Sequence, residues 1–194
     1  ESHSLATQCS EYAKTKVVGE HLISEWVASA SQTRKSATSL RFFNVAGTSI
    51  CGQYSEGRRK HESHLIPLAV QSLLDQSRFY IYGTDYPTPD GTCIRDYIHV
   101  LDVVQGCDLA AQRLLAGDTN TYGVYNLGSG KGYSVYQICH AIERLTNSTL
   151  KKYTKSRRNG DAPFAVADIS KVREELGWDP VNSSLDRILV DYLK

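Results

Sequence analysis

The chain has 194 residues, 41% of them apolar, and a formal net charge of +1. That length carries one domain or one and a fraction, and the apolar share supports a packed core rather than a disordered chain. Near-neutral charge argues against a nucleic-acid or membrane-surface binder, and no apolar run is long enough to span a bilayer.

Ser10 to about Ser31 reads as a helix, with Val17, Val18, His21, Leu22, Trp26 and Val27 recurring at helical intervals as a core-facing stripe. Near its start, Tyr12 and Lys16 are four residues apart and share a face. An ammonium beside a phenol favours the phenolate and yields an acid–base group usable near neutral pH. Ser4, Thr7 and Ser10 precede the pair on no predicted strand. Thr38–Phe43 reads as a buried strand, and Ile50–His61 as a polar loop whose Arg58-Arg59-Lys60 run is solvated. His64–Asp75 is predicted helical, with Pro67 near its start, where a missing N–H is tolerated. Phe79–Tyr82 is a short strand followed by a Pro/Asp/Gly loop, and Leu101–Ala116 an amphipathic helix. Gly123–Asn126 reads as a strand, Ser134–Thr146 as a helix with Ser134 as N-cap, and Leu150–Thr154 as a strand. Ser170–Leu176 and Ser184–Leu193 close the chain as helices, the first stopped by Gly177 and Pro180. Alternating strands and helices give an α/β fold.

The five cysteines (Cys9, Cys51, Cys93, Cys107, Cys139) are odd in number and scattered without zinc-ligand spacing. They read as reduced thiols in a cytoplasmic protein with no metal site. Asn147-Ser148-Thr149 and Asn182-Ser183-Ser184 match the glycosylation pattern by coincidence in such a chain. Gly128-Ser129-Gly130-Lys131-Gly132 lacks P-loop spacing and reads as a tight strand-to-helix connection.

Five further segments carry a specific signal: Arg41-Phe42-Phe43-Asn44-Val45-Ala46-Gly47, His64-Leu65-Ile66-Pro67, Tyr82 through Val100, Tyr125 through Gly130, and Arg157 through Pro163. In this order, and together with the Tyr12/Lys16 pair, they resemble the UDP-glucose 4-epimerase family of extended short-chain dehydrogenases/reductases. The resemblance runs from about Tyr12 to the last residue. The stretch from Asp85 to Val100, with its Pro-Thr-Pro-Asp-Gly-Thr loop, is the most diagnostic part.

The resemblance implies the tail of a doubly wound Rossmann-type sheet plus a smaller α/β substrate lobe. Residues 1–47 would complete the NAD-binding sheet and residues 48–194 would form the UDP-sugar lobe, with 97–111 packing back on the first. The N-terminal dinucleotide-binding half, with its glycine-rich turn and catalytic Ser/Thr, is absent from the sequence, so the chain alone is expected to be inactive. In the parent enzyme, NAD would take hydride from C4 of the hexose and return it to the opposite face. Tyr12 would be the acid–base group, Lys16 would hold its phenolate and the nicotinamide ribose, and Phe43 would touch the nicotinamide. Asn44, Arg95 and Arg158 would bind the diphosphate, Asp161 a ribose hydroxyl, and the Tyr80-Ile81-Tyr82 backbone the uracil. His64 and Leu65 would lie against the sugar nucleotide, His64 standing where many relatives have Asn; Arg157 reads as a solvated neighbour. Ala165 replaces a bulky tyrosine of some members, leaving room for an N-acetyl group and hence UDP-GlcNAc/UDP-GalNAc turnover. The parent would be a homodimer joined partly through the tyrosine helix. A UDP-pentose 4-epimerase and a truncated UDP-sugar-binding remnant are the alternatives.

Overall fold

The structure is a computed structural model describing residues 11–29, 34–49, 63–117 and 121–193. The Arg58–Lys60 run, Ser4, Thr7, Ser10, Cys9 and Cys51 lie outside the described residues.

Helix α1 (Glu11–Ala28) leads into strand β1 (Ala37–Phe42) and, one residue later, β2 (Asn44–Ala46). Then come α2 (Leu65–Leu74), β3 (Arg78–Tyr82), β4 (Ile94–His99), α3 (Val100–Leu115) and β5 (Tyr122–Leu127). The remainder is β6 (Gly132–Ser134), α4 (Val135–Thr146), β7 (Lys151–Lys155), β8 (Phe164–Ala165), α5 (Ser170–Leu176) and α6 (Leu185–Leu193).

The strand read as Thr38–Phe43 is β1, and at Phe43 the backbone changes partner into β2, which the sequence reading did not include. β1 runs parallel to β5, and Phe43 N still donates to Leu127 O at 3.1 Å. β2 instead runs parallel to β4, with Asn44 opposite Tyr97. β4 also pairs antiparallel with β6 and parallel with β8, while β3 and β7 form a separate parallel ribbon. Sequence reading missed β4 because Arg95 and Asp96 interrupt its apolar run, and missed β6 and β8 because they are three and two residues long.

Two cores follow from this division. One lies among α2, β3, α4 and α6, around Ile66, Ile81, Ile138, Ile142, Ile188 and Leu189. The other joins β4, α3, β5 and α5 through Ile98, Val103, Tyr125, Leu127, Val172 and Trp178, with Leu40 and Phe43 packed against it. Helix α3 approaches β5 closely: a Cβ on Gly106 would lie 2.8 Å from Leu127 Cδ1. Residues 122–127 pair with β1 and share the second core with β4 and α3.

Helix ends obey local chemistry. Ser134 Oγ accepts from Gln137 N while Gln137 Oε1 accepts from Ser134 N, a complete capping box on α4. His99 caps α3 by accepting from Leu101 N through Nδ1 at 3.1 Å. Gly177 ends α5 at φ +63, the left-handed conformation that favours glycine.

The α1 stripe departs from expectation. Val27 is buried and Val17 half-buried, but Val18, His21, Leu22 and Trp26 are exposed, Leu22 by 58% and Trp26 by 52%. A periodic apolar face predicts that something covers it, not what does. The helix is fixed to the sheet by a bidentate ion pair, Arg41 Nε and Nη2 donating to Glu20 at 2.7 and 2.6 Å.

Candidate active site

A cavity of about 800 Å³ opens where α1, β1, β2, α2, β3 and β4 meet. The start of α1 supplies Tyr12, and the strand switch supplies Phe43 and Asn44. The start of α2 supplies His64 and Leu65, and β3 supplies Tyr80, Ile81 and Tyr82. β4 adds Cys93, Arg95 and Tyr97, and the turn after β7 adds Arg158 and Asp161. Lys16 and Ala165 do not line it.

At the mouth, Tyr12 is 72% exposed and the Lys16 ammonium sits 5.2 Å from the centroid of its ring. The shared helix face expected from the spacing is present, with the amine over the ring. Phe42 and Val45, both exposed, extend an apolar wall beside Tyr12.

Asn44 Nδ2 donates to Asp96 O at 2.7 Å, joining β2 to β4. His64 sits in extended backbone just before α2 (φ −84°, ψ 146°), and Leu65 begins the helix. Strand alternation buries Phe79 and Ile81 in the first core and turns Tyr80 and Tyr82 the other way. Those two rings carry cations: Lys155 Nζ lies 3.9 Å from the Tyr80 centroid, and the Arg158 guanidinium lies 4.2 Å from that of Tyr82.

Arg95 Nη1 donates to Ile94 O at 2.9 Å, and Nη2 stands 3.4 Å from Asp161 Oδ1. Arg157 turns away to Asp85, its Nε donating to Oδ1 at 2.7 Å. Two guanidiniums thus face the cavity against the single carboxylate of Asp161, a surplus of positive charge suited to a phosphate group. Burial pushes the Tyr97 phenol and the Cys93 thiol up, so both remain protonated at neutral pH.

Next to Arg95 on β4 stands a residue that sequence reading passed over. Asp96, fully buried, accepts at Oδ1 from Ser129 N (2.7 Å) and Ser129 Oγ (2.6 Å). Its Oδ2 accepts from Gly130 N (3.0 Å) and Ala167 N (3.1 Å). The signal lay in the Gly-Ser-Gly connection, whose N–H groups needed an acceptor. Ala165 stands opposite Arg95 in the β4–β8 register, half-buried. Among the described residues, no group of three or more His, Cys, Asp or Glu is placed to hold a metal ion.

A dinucleotide fits this chain at one end only. The exposed apolar wall of Phe42 and Val45 beside Tyr12 and Phe43 suits a flat ring, with Lys16 one helical turn away. The sequence contains no glycine-rich turn to seat a pyrophosphate.

A model of the NAD dependent epimerase/dehydratase family matches residues 1–128. A curated UDP-glucose 4-epimerase of Corynebacterium glutamicum is 38% identical over 181 residues, covering 93% of this chain and 52% of the relative. The structure of UDP-glucose 4-epimerase from Brucella ovis in complex with NAD is 37% identical, with a TM-score of 0.82 over 93% of this chain and 54% of that one. The Bifidobacterium longum UDP-glucose 4-epimerase, solved with NAD+ and UDP, is 31% identical, with a TM-score of 0.89 over 100% of this chain and 56% of that one. The chain spans about half the length of the curated relatives it matches. The tyrosine helix, the strand switch at Phe43 and the matched residues together place this chain in the NAD-dependent epimerase/dehydratase family.

Proposed function

We propose that the cavity binds a UDP-sugar and that its residues form the substrate side of a UDP-glucose/UDP-galactose 4-epimerase. The observation that carries this reading is convergence: Arg95, Arg158 and Asp161, the last 3.4 Å from Arg95, line the same cavity as Tyr12. The printed names of the relatives support the same substrate class.

In this reading Arg95 and Arg158 clamp the diphosphate, with Asn44 beside them, and Asp161 accepts a ribose hydroxyl. The backbone of Tyr80, Ile81 and Tyr82 meets the uracil edge, while His64 and Leu65 close over the nucleotide. Bound NAD supplies an acceptor and donor of hydride for C4 of the sugar. Tyr12 takes the 4-OH proton and returns it, Lys16 favours its phenolate, and Phe43 packs beside the nicotinamide. Turnover of UDP-GlcNAc and UDP-GalNAc is proposed from the sequence resemblance at Ala165 alone, since that residue stands on β8 opposite Arg95 and off the cavity lining. Catalysis further requires a dinucleotide-binding turn that these residues do not contain. The exposed Val18, Leu22, Ile23 and Trp26 of α1 support a homodimer joined through that helix. No described helix is long and apolar enough to cross a membrane; the free thiols of Cys93, Cys107 and Cys139 support a cytoplasmic location.

Calorimetric titration of the chain with UDP tests the substrate reading. Binding that weakens at least tenfold in Arg158→Ala, and again in Arg95→Ala, is expected. No heat of binding from the wild-type chain overturns the assignment.

A further inference from the structure

A buried polar atom off the cavity lining is used by none of these roles. Tyr86, in the turn between β3 and β4, is 4% exposed, and its hydroxyl makes no hydrogen bond among the described residues. A buried, unbonded hydroxyl is destabilising, so it calls for a partner.

The ring cannot travel to find one. Gly83, at φ +79, lies so close that a Cβ there would sit 2.4 Å from Tyr86 Cε2. The Arg157 guanidinium covers the ring at 4.3 Å and is itself tied to Asp85. Tyr86 N donates to Gly91 O at 2.9 Å. The acceptor must therefore move to the hydroxyl.

Asp161 carries the carboxylate among the residues that line the cavity, and its N–H closes a turn onto Arg158 O at 3.3 Å. After burial itself, the Asp161 carboxylate is the strongest influence pushing the Tyr86 phenol up, ahead of the opposing pull of Arg157 and Arg95. The Asp161 side chain is 35% exposed, and its 3.4 Å approach to Arg95 is longer than a firm charge-assisted bond of about 2.8 Å.

We propose that Tyr86 is a positioning residue whose hydroxyl donates to the Asp161 carboxylate when a nucleotide diphosphate engages Arg95, aiming the second carboxylate oxygen at the ribose. Two carboxylate oxygens suffice for both bonds. The proposal rests on the reading of the cavity as a UDP-sugar site.

The test titrates the wild-type chain, Tyr86→Phe, Asp161→Asn and the double variant with UDP and with 2′,3′-dideoxy-UDP, alongside thermal melts. Tyr86→Phe is expected to raise the Tm of the free chain, because it removes the unbonded hydroxyl, while weakening UDP binding about tenfold. With 2′,3′-dideoxy-UDP the two chains bind within about twofold of each other, and the double variant is no weaker for UDP than Asp161→Asn. Unchanged UDP affinity in Tyr86→Phe, an equal loss for both nucleotides, or a lower free-chain Tm each overturn the proposal. A wild-type chain that takes no UDP overturns the substrate reading and this inference with it, and is seen before any variant is made.

Discussion

Asp96 and Ser129 form a two-point lock: one carboxylate oxygen accepts from both the Ser129 backbone N–H and its hydroxyl, at 2.7 and 2.6 Å. The other oxygen holds Gly130 and Ala167, so a single buried side chain ties β4 to the ends of two neighbouring segments. Replacement by Asn puts an amide donor against N–H donors. We predict that Asp96→Asn costs about 3 kcal/mol, lowering Tm by roughly 10 °C, and loosens UDP binding because β4, the strand that carries Arg95, is no longer tied to its neighbours. Calorimetric melts and UDP titration check both effects.

His99 sets a pH dependence. It is fully buried, with Nδ1 accepting from Leu101 N, so its proton sits on Nε2, 3.4 Å from Asp191 Oδ2. Burial holds its pKa below the ordinary imidazole value, against the upward pull of Asp191 and Asp102 and with the downward push of Arg187. The unfolded chain then binds the proton first as pH falls, so stability is full above about pH 6.5 and declines below it toward the folded value. Glu20, held low by hydrogen bonds from Arg41, adds its loss only below about pH 4.5. His99→Asn keeps a capping acceptor and is expected to flatten the slope of unfolding free energy between about pH 6.5 and 5. Urea melts across that range decide it.

Gly47 cannot be replaced cheaply. It sits at φ +82, and a Cβ there would lie 2.5 Å from His99 Nε2. Gly47→Ala combines left-handed strain with a collision against an immobile ring, and is predicted to cost about 2–3 kcal/mol. A Tm lowered by roughly 5–10 °C is the expected reading.

The exposed half of α1 should govern self-association. Leu22 lies ten residues beyond Tyr12, about 15 Å along the helix axis, so its replacement spares the cavity. Leu22→Glu with Trp26→Ser is predicted to shift the chain toward monomer in sedimentation velocity, with UDP affinity unchanged.

Much of this arrangement was legible in the sequence where chemistry is local. The Ser134 cap, the Gly177 stop and the Tyr12/Lys16 face follow from spacing alone, and the structure shows each. The resemblance named Arg95, Arg158 and Asp161, which line one cavity although Arg95 precedes Asp161 by 66 residues. What escaped was non-local. β4 hides behind a buried carboxylate whose partners lie at residues 129, 130 and 167. Ala165, expected in the sugar pocket, stands beside Arg95 but off the lining, because β8 is only two residues long. The α1 stripe announced an apolar face and could not name its cover.

The change of partner at Phe43 has a mechanical meaning. One uninterrupted backbone serves two sheets, with its pivot in the wall of the cavity. There is no slack linker to absorb a displacement between them. Any sliding of one sheet past the other is transmitted to the cleft as a change in its width, so the grip on a ligand and the relative setting of the two sheets are a single degree of freedom.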